Sequence, residues 1–286
     1  MSCLVALAAL SLPWMTGSSC PPAAPIIELL QDPVPRMESA EAQLRHAVTV
    51  RLGMLRKRSR ALALARQRAL DAFLAVAEYH PQDKARAAEA LFRAGELARA
   101  GGDSTSALLY FADVRTQGAR TPFRARAGLE IGHVHRRAGR LEDAKNAYDN
   151  VMLDDSASIR FRDRASYWCA RVLVAMGRST DARRLFRRVA TSSYDSLQRI
   201  RAFDELVLLT VSNGDLEWAA GILEECRKSL AKYAKEQTRQ GQRVRSALDR
   251  MRSIPVLKKA VRERRLQKKP VVTDKNGNAS NALNGA

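Results

Sequence analysis

The sequence predicts an all-α chain built from one helical hairpin repeated and stacked. Three observations carry this. The 286 residues are 46% hydrophobic and only 6% aromatic, and the apolar content is mostly Ala, Leu and Val beside many Arg, a helix-forming balance. Pro and Gly number only 10 and 15, so long runs go uninterrupted. Above all, a glycine stands five residues before an alanine four times: Gly102-Asp-Ser-Thr-Ser-Ala107, Gly139-Arg-Leu-Glu-Asp-Ala144, Gly177-Arg-Ser-Thr-Asp-Ala182 and Gly214-Asp-Leu-Glu-Trp-Ala219. The alanines lie 37, 38 and 37 residues apart, a period that signals stacked supersecondary units.

Each feature of the repeat has a physical reading. The glycine closes a first helix in a left-handed conformation that costs it nothing. Asp103 and Ser104, or Ser179 and Thr180, offer oxygens to cap a second helix. The alanine is small because the two helices cross there. Four residues on, Phe111, Tyr148, Phe186 or Leu223 fills the remaining space, followed three later by Val114, Val151, Val189 or Cys226. Upstream, Gly95, Gly132, Ala170 and Val207 sit mid-way along the first helices and let them approach their neighbours.

The flanks complete the division of the chain. Residues 37–83 hold a long N-terminal helix, or two end to end, with apolar positions from Leu44 to Ala77, ending in a degenerate unit marked by Ala69, Phe73 and Val76. The four clear repeats occupy 84–226. Residues 227–268 form a basic helical extension: 227–252 continue the second helix of the last repeat, Pro255 breaks or kinks it, and a short terminal helix covers Val256–Gln267. The Asn- and Gly-rich segment 269–286 is expected to be a disordered tail. Residues 21–36 carry Pro21, Pro22, Pro25, Pro33 and Pro35 and read as an extended linker. Residues 1–20 combine an apolar run, Cys3 to Leu12, with a small-residue stretch ending Gly17-Ser-Ser-Cys20. That arrangement resembles a bacterial lipoprotein signal, in which Cys20 would be lipidated and become the first mature residue, on an exported, periplasm-facing, lipid-anchored protein; a cytoplasmic chain is the alternative.

Composition excludes several function classes. No run of about 18 apolar residues follows the first few positions, so the chain is not a polytopic membrane protein. Cys3, Cys20, Cys169 and Cys226 are too widely spaced for a disulfide framework or zinc ribbon, and the latter two fall on core-facing positions. His133 and His135 point about 200° apart on a helix and cannot share an ion. No nucleophile elbow, phosphate loop or paired-carboxylate site is present, so no catalytic residue, metal or cofactor is expected. The net charge is +19, with sixteen Lys and Arg against three acidic residues over 227–269 and a second basic knot at Arg51–Arg60. Such a stretch is either a solvated face or a binding arm for an anionic polymer such as nucleic acid, anionic membrane or cell-wall polymer.

The repeat resembles the tetratricopeptide repeat (TPR), whose units share the small residue, the turn glycine, the alanine and the following aromatic. The resemblance covers about half the chain, with a spacing of 37–38 against about 34 in that family. Longer spacings, together with Ala165-Ser-Tyr-Trp168, are similar to repeats of bacterial envelope lipoproteins of the outer-membrane assembly and Tol–Pal coordinator types. The resemblance implies a right-handed superhelix whose first helices line a concave groove that binds a partner protein. Helical phase then puts Phe92, Glu96 and Arg99 in the groove, with Leu129, His133, Arg136 and Arg137 from the second unit. The third unit adds Arg164, Tyr167 and Arg171, and the fourth Arg201, Asp204 and Leu208. Guanidinium groups there would suit an acidic peptide or helix. The family's carboxylate clamp needs Lys and Asn where this chain has Phe92 and Glu96, so that clamp is not expected.

Overall fold

A computed structural model describes residues 33–55, 60–117 and 121–267. The chain divides between Pro35 and Arg36, and the helical array belongs to the second unit. Twelve helices follow in order among the described residues: α1 (Ala40–Met54), α2 (Arg60–Tyr79), α3 (Lys84–Ala100), α4 (Ser104–Gln117), α5 (Pro122–Arg137), α6 (Leu141–Met152), α7 (Ile159–Ala175), α8 (Ser179–Ser192), α9 (Ser196–Ser212), α10 (Leu216–Lys235), α11 (Arg239–Asp249) and α12 (Ser253–Gln267). Each helix from α1 to α10 packs on the next, so pairs stack as hairpins in sequence order.

The turn glycines do what their positions require. Gly102, Gly139, Gly177 and Gly214 have φ between 74° and 89°, and the following N–H of Asp103, Arg140, Arg178 and Asp215 donates back to the carbonyl of Ala98, His135, Leu173 and Thr210. That is the six-residue closure of a left-handed helix C-terminus. Capping is less uniform than the sequence suggests. Asp103 accepts from Ser106 N–H at 3.0 Å and Asp215 from Trp218 N–H at 3.2 Å. At α8 the cap position is Arg178, and neither it nor Ser179 and Thr180 supply a side-chain cap. Asp181 in the first turn favours that helix dipole and holds Arg178 at 2.8 Å.

The core is a row of one repeated contact. Ala107, Ala144, Ala182 and Ala219 are fully buried, as are Phe111, Tyr148 and Phe186 one turn on. Gly95 and Gly132 lie directly under the rings of Phe111 and Tyr148, where a Cβ would collide with ring carbons. Ala69, Phe73 and Val76 are equally buried on α2, so α2 repeats the second-helix contact, and α1 packs on it as a fifth hairpin. The N-terminal region is therefore a folded-back pair, not one long helix or two end to end. The buried stripe of α1 is only Ala40, Gln43, Ala47 and Met54, enough for one face of a hairpin.

The basic extension also differs from a continuous helix. α10 ends at Lys235, and α11 and α12 pack on α9 and α10 as a cap. Val244, Met251 and Leu257 are buried there. Pro255 does not break this segment: it sits in the first turn of α12, where its missing N–H has no helical partner to lose.

Candidate partner-binding groove

The first helices of successive hairpins touch one another, α1 with α3, α3 with α5 and α5 with α7, and Arg171 of α7 reaches Glu205 of α9, while among the described residues no two second helices make comparable contacts. The array therefore curves with α3, α5, α7 and α9 on its inner wall. This is the face that helical phase assigns to partner binding, and the structure sorts its residues into three groups.

Four residues expected to face the groove are packing residues. Phe92 is 1% exposed and its ring meets Phe111 and Phe123, each at 5.5 Å between centroids. Leu129 is 3% exposed. Tyr167 is 6% exposed; its hydroxyl donates to Glu205 at 3.2 Å, and burial pushes the phenol up to about 12. His133 is buried with Nδ1 2.6 Å from the Tyr148 hydroxyl, and its ring meets Trp168 edge-on at 4.9 Å. Burial, helped by Arg136 and Arg137, lowers the His133 pKa to about 4, so it is neutral at pH 7. Inner-wall positions close the gap between neighbouring first helices, which is why apolar side chains there are swallowed.

A second group is paired. Glu96 binds Arg93 at 3.0 Å and Arg99 faces Glu130 at 3.4 Å. The Arg136 guanidinium lies 4.8 Å over the Trp168 ring, and Arg171 lies 5.3 Å over it while facing Glu205 at 3.6 Å. Asp204 is buried; its carboxylate accepts the Ser253 N–H at 2.8 Å and the Arg252 Nε at 3.3 Å, which fastens the start of α12 to α9. Leu208 is half-buried.

The third group is open. Arg137, Arg164 and Arg201 are exposed and form no ion pair or hydrogen bond among the described residues. Three guanidiniums on three successive first helices thus face solvent without a carboxylate. Cys20 lies outside the described residues. Cys169 and Cys226 are buried free thiols, pushed up to about 12 by burial.

Sequence reasoning missed Trp168, Arg126, Glu130, Glu205 and Arg252. Two had a visible signal. The period carries Arg201 and Arg164 back to Arg126, which stacks 4.4 Å over Phe92. Glu205 stands one repeat, 38 residues, beyond Tyr167. Nothing in the sequence pairs Arg252 with Asp204.

No family model matches the chain, and no curated protein matches it in sequence. The TPR-like repeats of a kinesin light chain from Podosopora anserina superpose with a TM-score of 0.50 at 17% identity, covering 70% of this chain and 100% of that one. A single-substitution form of those repeats gives 0.51 over the same shares. MamA gives 0.47 at 17% identity, over 60% of this chain and 92% of its own. The fold is a right-handed superhelix of TPR-like hairpins.

Proposed function

We propose that this chain is a non-enzymatic protein-interaction scaffold whose inner wall takes an acidic segment of a partner protein. The observation that carries the reading is the set of unpaired guanidiniums, Arg137, Arg164 and Arg201, on three consecutive helices of one wall. Guanidinium forks favour carboxylates bidentately, and an array already folded loses little freedom on binding. Arg136 and Arg171 are both held by Trp168, so charge reversal at the open Arg137 and Arg164 probes the wall with less risk to the core. The double Arg137→Glu, Arg164→Glu variant keeps wild-type helicity by circular dichroism and loses the partner crosslinked from native membranes. Undiminished capture by that variant removes the groove reading.

The same proposal puts the protein in the cell envelope, lipidated at Cys20 and tethered through residues 21–36, as the resemblance to envelope lipoprotein repeats implies. Mass analysis of the mature N-terminus tests this: a lipid-modified Cys20 supports it, and unmodified Met1 on a cytosolic chain refutes it while leaving the scaffold reading intact.

A second reading rests on α12, whose Lys258, Lys259, Arg262, Arg264 and Arg265 are all exposed. Such a face suits an anionic polymer or membrane, with affinity falling steeply as salt rises. Truncation after Leu223 would strip the buried Cys226 and Leu230 from the core, so Lys258→Glu with Arg262→Glu is the cleaner variant. Vesicle or polymer binding that survives it refutes this reading.

A further inference from the structure

The cap formed by α11 and α12 creates a cleft that no sequence feature announced. It lies between α9 and α11 and has a volume of about 630 Å³. Its floor is aliphatic: Leu197 and Ile200 from α9, Ala247 and Met251 from the cap, all buried or half-buried. Its walls are guanidinium: Arg201 on one side and Arg239, Arg243 and Arg250 on the other. Arg239 and Arg243 stand at i and i+4 on one face of α11, and Arg250 is the residue that caps its C-terminus. The Asp204 carboxylate also lines the cleft, but it is held by Ser253 and Arg252. None of the four wall arginines has an ion pair among the described residues.

From this we infer that the cleft is a binding site for a short, extended acidic segment carrying an aliphatic side chain. The inference rests on the scaffold reading and locates one of its contacts. Four like charges gathered over an apolar floor repel one another and wait for an anion. The floor asks for an apolar side chain, which a bare polyanion lacks. No aromatic residue lines the cleft, so single-stranded bases have nothing to stack on. Arg239 and Arg250 are roughly 16 Å apart along the helix axis, the reach of about five extended residues. One aliphatic side chain then fills the floor, and carboxylates on either side meet the arginine walls.

Fluorescence anisotropy with the full chain tests this using four probes: a labelled peptide alternating aspartate and leucine, one alternating aspartate and serine, a thymidine oligonucleotide, and inorganic polyphosphate as competitor. The leucine peptide binds at least about tenfold tighter than the serine peptide, as burial of one aliphatic side chain predicts. Arg243→Glu with Arg250→Glu weakens it by at least about tenfold, in line with lost charge pairs at an interface. Ala247→Gln on the floor weakens the leucine peptide and leaves the serine peptide unchanged. Equal affinity for both peptides, tighter binding of oligonucleotide or polyphosphate, or indifference to the arginine pair overturns the inference. A native partner that depends on Arg137 and Arg164 but not on Arg243 and Arg250 also overturns it, while leaving the scaffold reading standing.

Discussion

Gly95 offers a sharp test of how these hairpins close. A Cβ built there would lie 2.5, 2.8 and 2.9 Å from three ring carbons of Phe111. Ordinary contact begins near 3.4 Å, so Gly95→Ala forces a shift of most of an ångström. The ring has nowhere to go: Phe111 is fully buried and backed by Phe92, which is itself held by Phe123 and Arg126. Overpacking of this kind costs about 2–3 kcal/mol, and the better helix propensity of alanine returns about 1. The net loss is about 1–2 kcal/mol, a fall in Tm of roughly 2–8 °C for a chain of this size. Gly221 supplies the control, since it is exposed on α10 and a Cβ there meets nothing within 4 Å. Gly221→Ala stabilises by about 0.5–1 kcal/mol. Adding Phe111→Leu to Gly95→Ala costs less than the two separate losses combined, because the smaller side chain relieves the clash. Urea titration followed by circular dichroism reads all five proteins, with wild type and the Phe111→Leu single variant among them. If Gly95→Ala matches or exceeds wild type, the close approach of glycine and ring is wrong.

Further outcomes follow from the same contacts. Phe186→Ala empties a fully buried site and costs about 3–5 kcal/mol by denaturant unfolding. Gly139→Ala meets no steric obstacle but must adopt φ of 74°, which costs about 1–2 kcal/mol. His133 titrates near 4 when folded against 6.5 ordinarily, so on acidification the unfolded chain takes up the proton first. The wild type then loses up to about 1.4 kcal/mol per pH unit between 6.5 and 4 relative to His133→Gln, measured by urea midpoints across that range. Asp204→Asn weakens the hold on Ser253 and Arg252; trypsin then cuts within α12 faster than in wild type, whereas equal rates would mean that α12 is held by apolar packing alone.

Much of the architecture was legible because it is written four times over. Ala107, Ala144, Ala182 and Ala219, the large apolar residue one turn later and the turn glycine recur at fixed spacing. Even the degenerate Ala69, Phe73, Val76 copy was visible, although its hairpin with α1 was not, since no turn glycine follows α1. The inner wall was only half legible. Helical phase puts Phe92, Leu129, His133 and Tyr167 on the groove face, but phase does not report the distance to the neighbouring helix. That distance turned these side chains into core and left Arg137, Arg164 and Arg201 open. Partners such as Arg252 with Asp204 bridge units 48 residues apart, a separation outside the repeat, so no periodicity reveals them. The α9–α11 cleft was hidden for the same reason.

The central claim is that recognition happens on the inner wall of the array. A photo-crosslinking residue placed at Val174 tests it directly, because Val174 is exposed and lies one turn beyond Arg171 on the same helix face. The matched position is Arg183, exposed on the second helix of the same hairpin. Irradiation of cells carrying each variant should give a partner adduct from Val174 and none from Arg183. Adducts from Arg183 with none from Val174 would move recognition to the outer face and contradict the account.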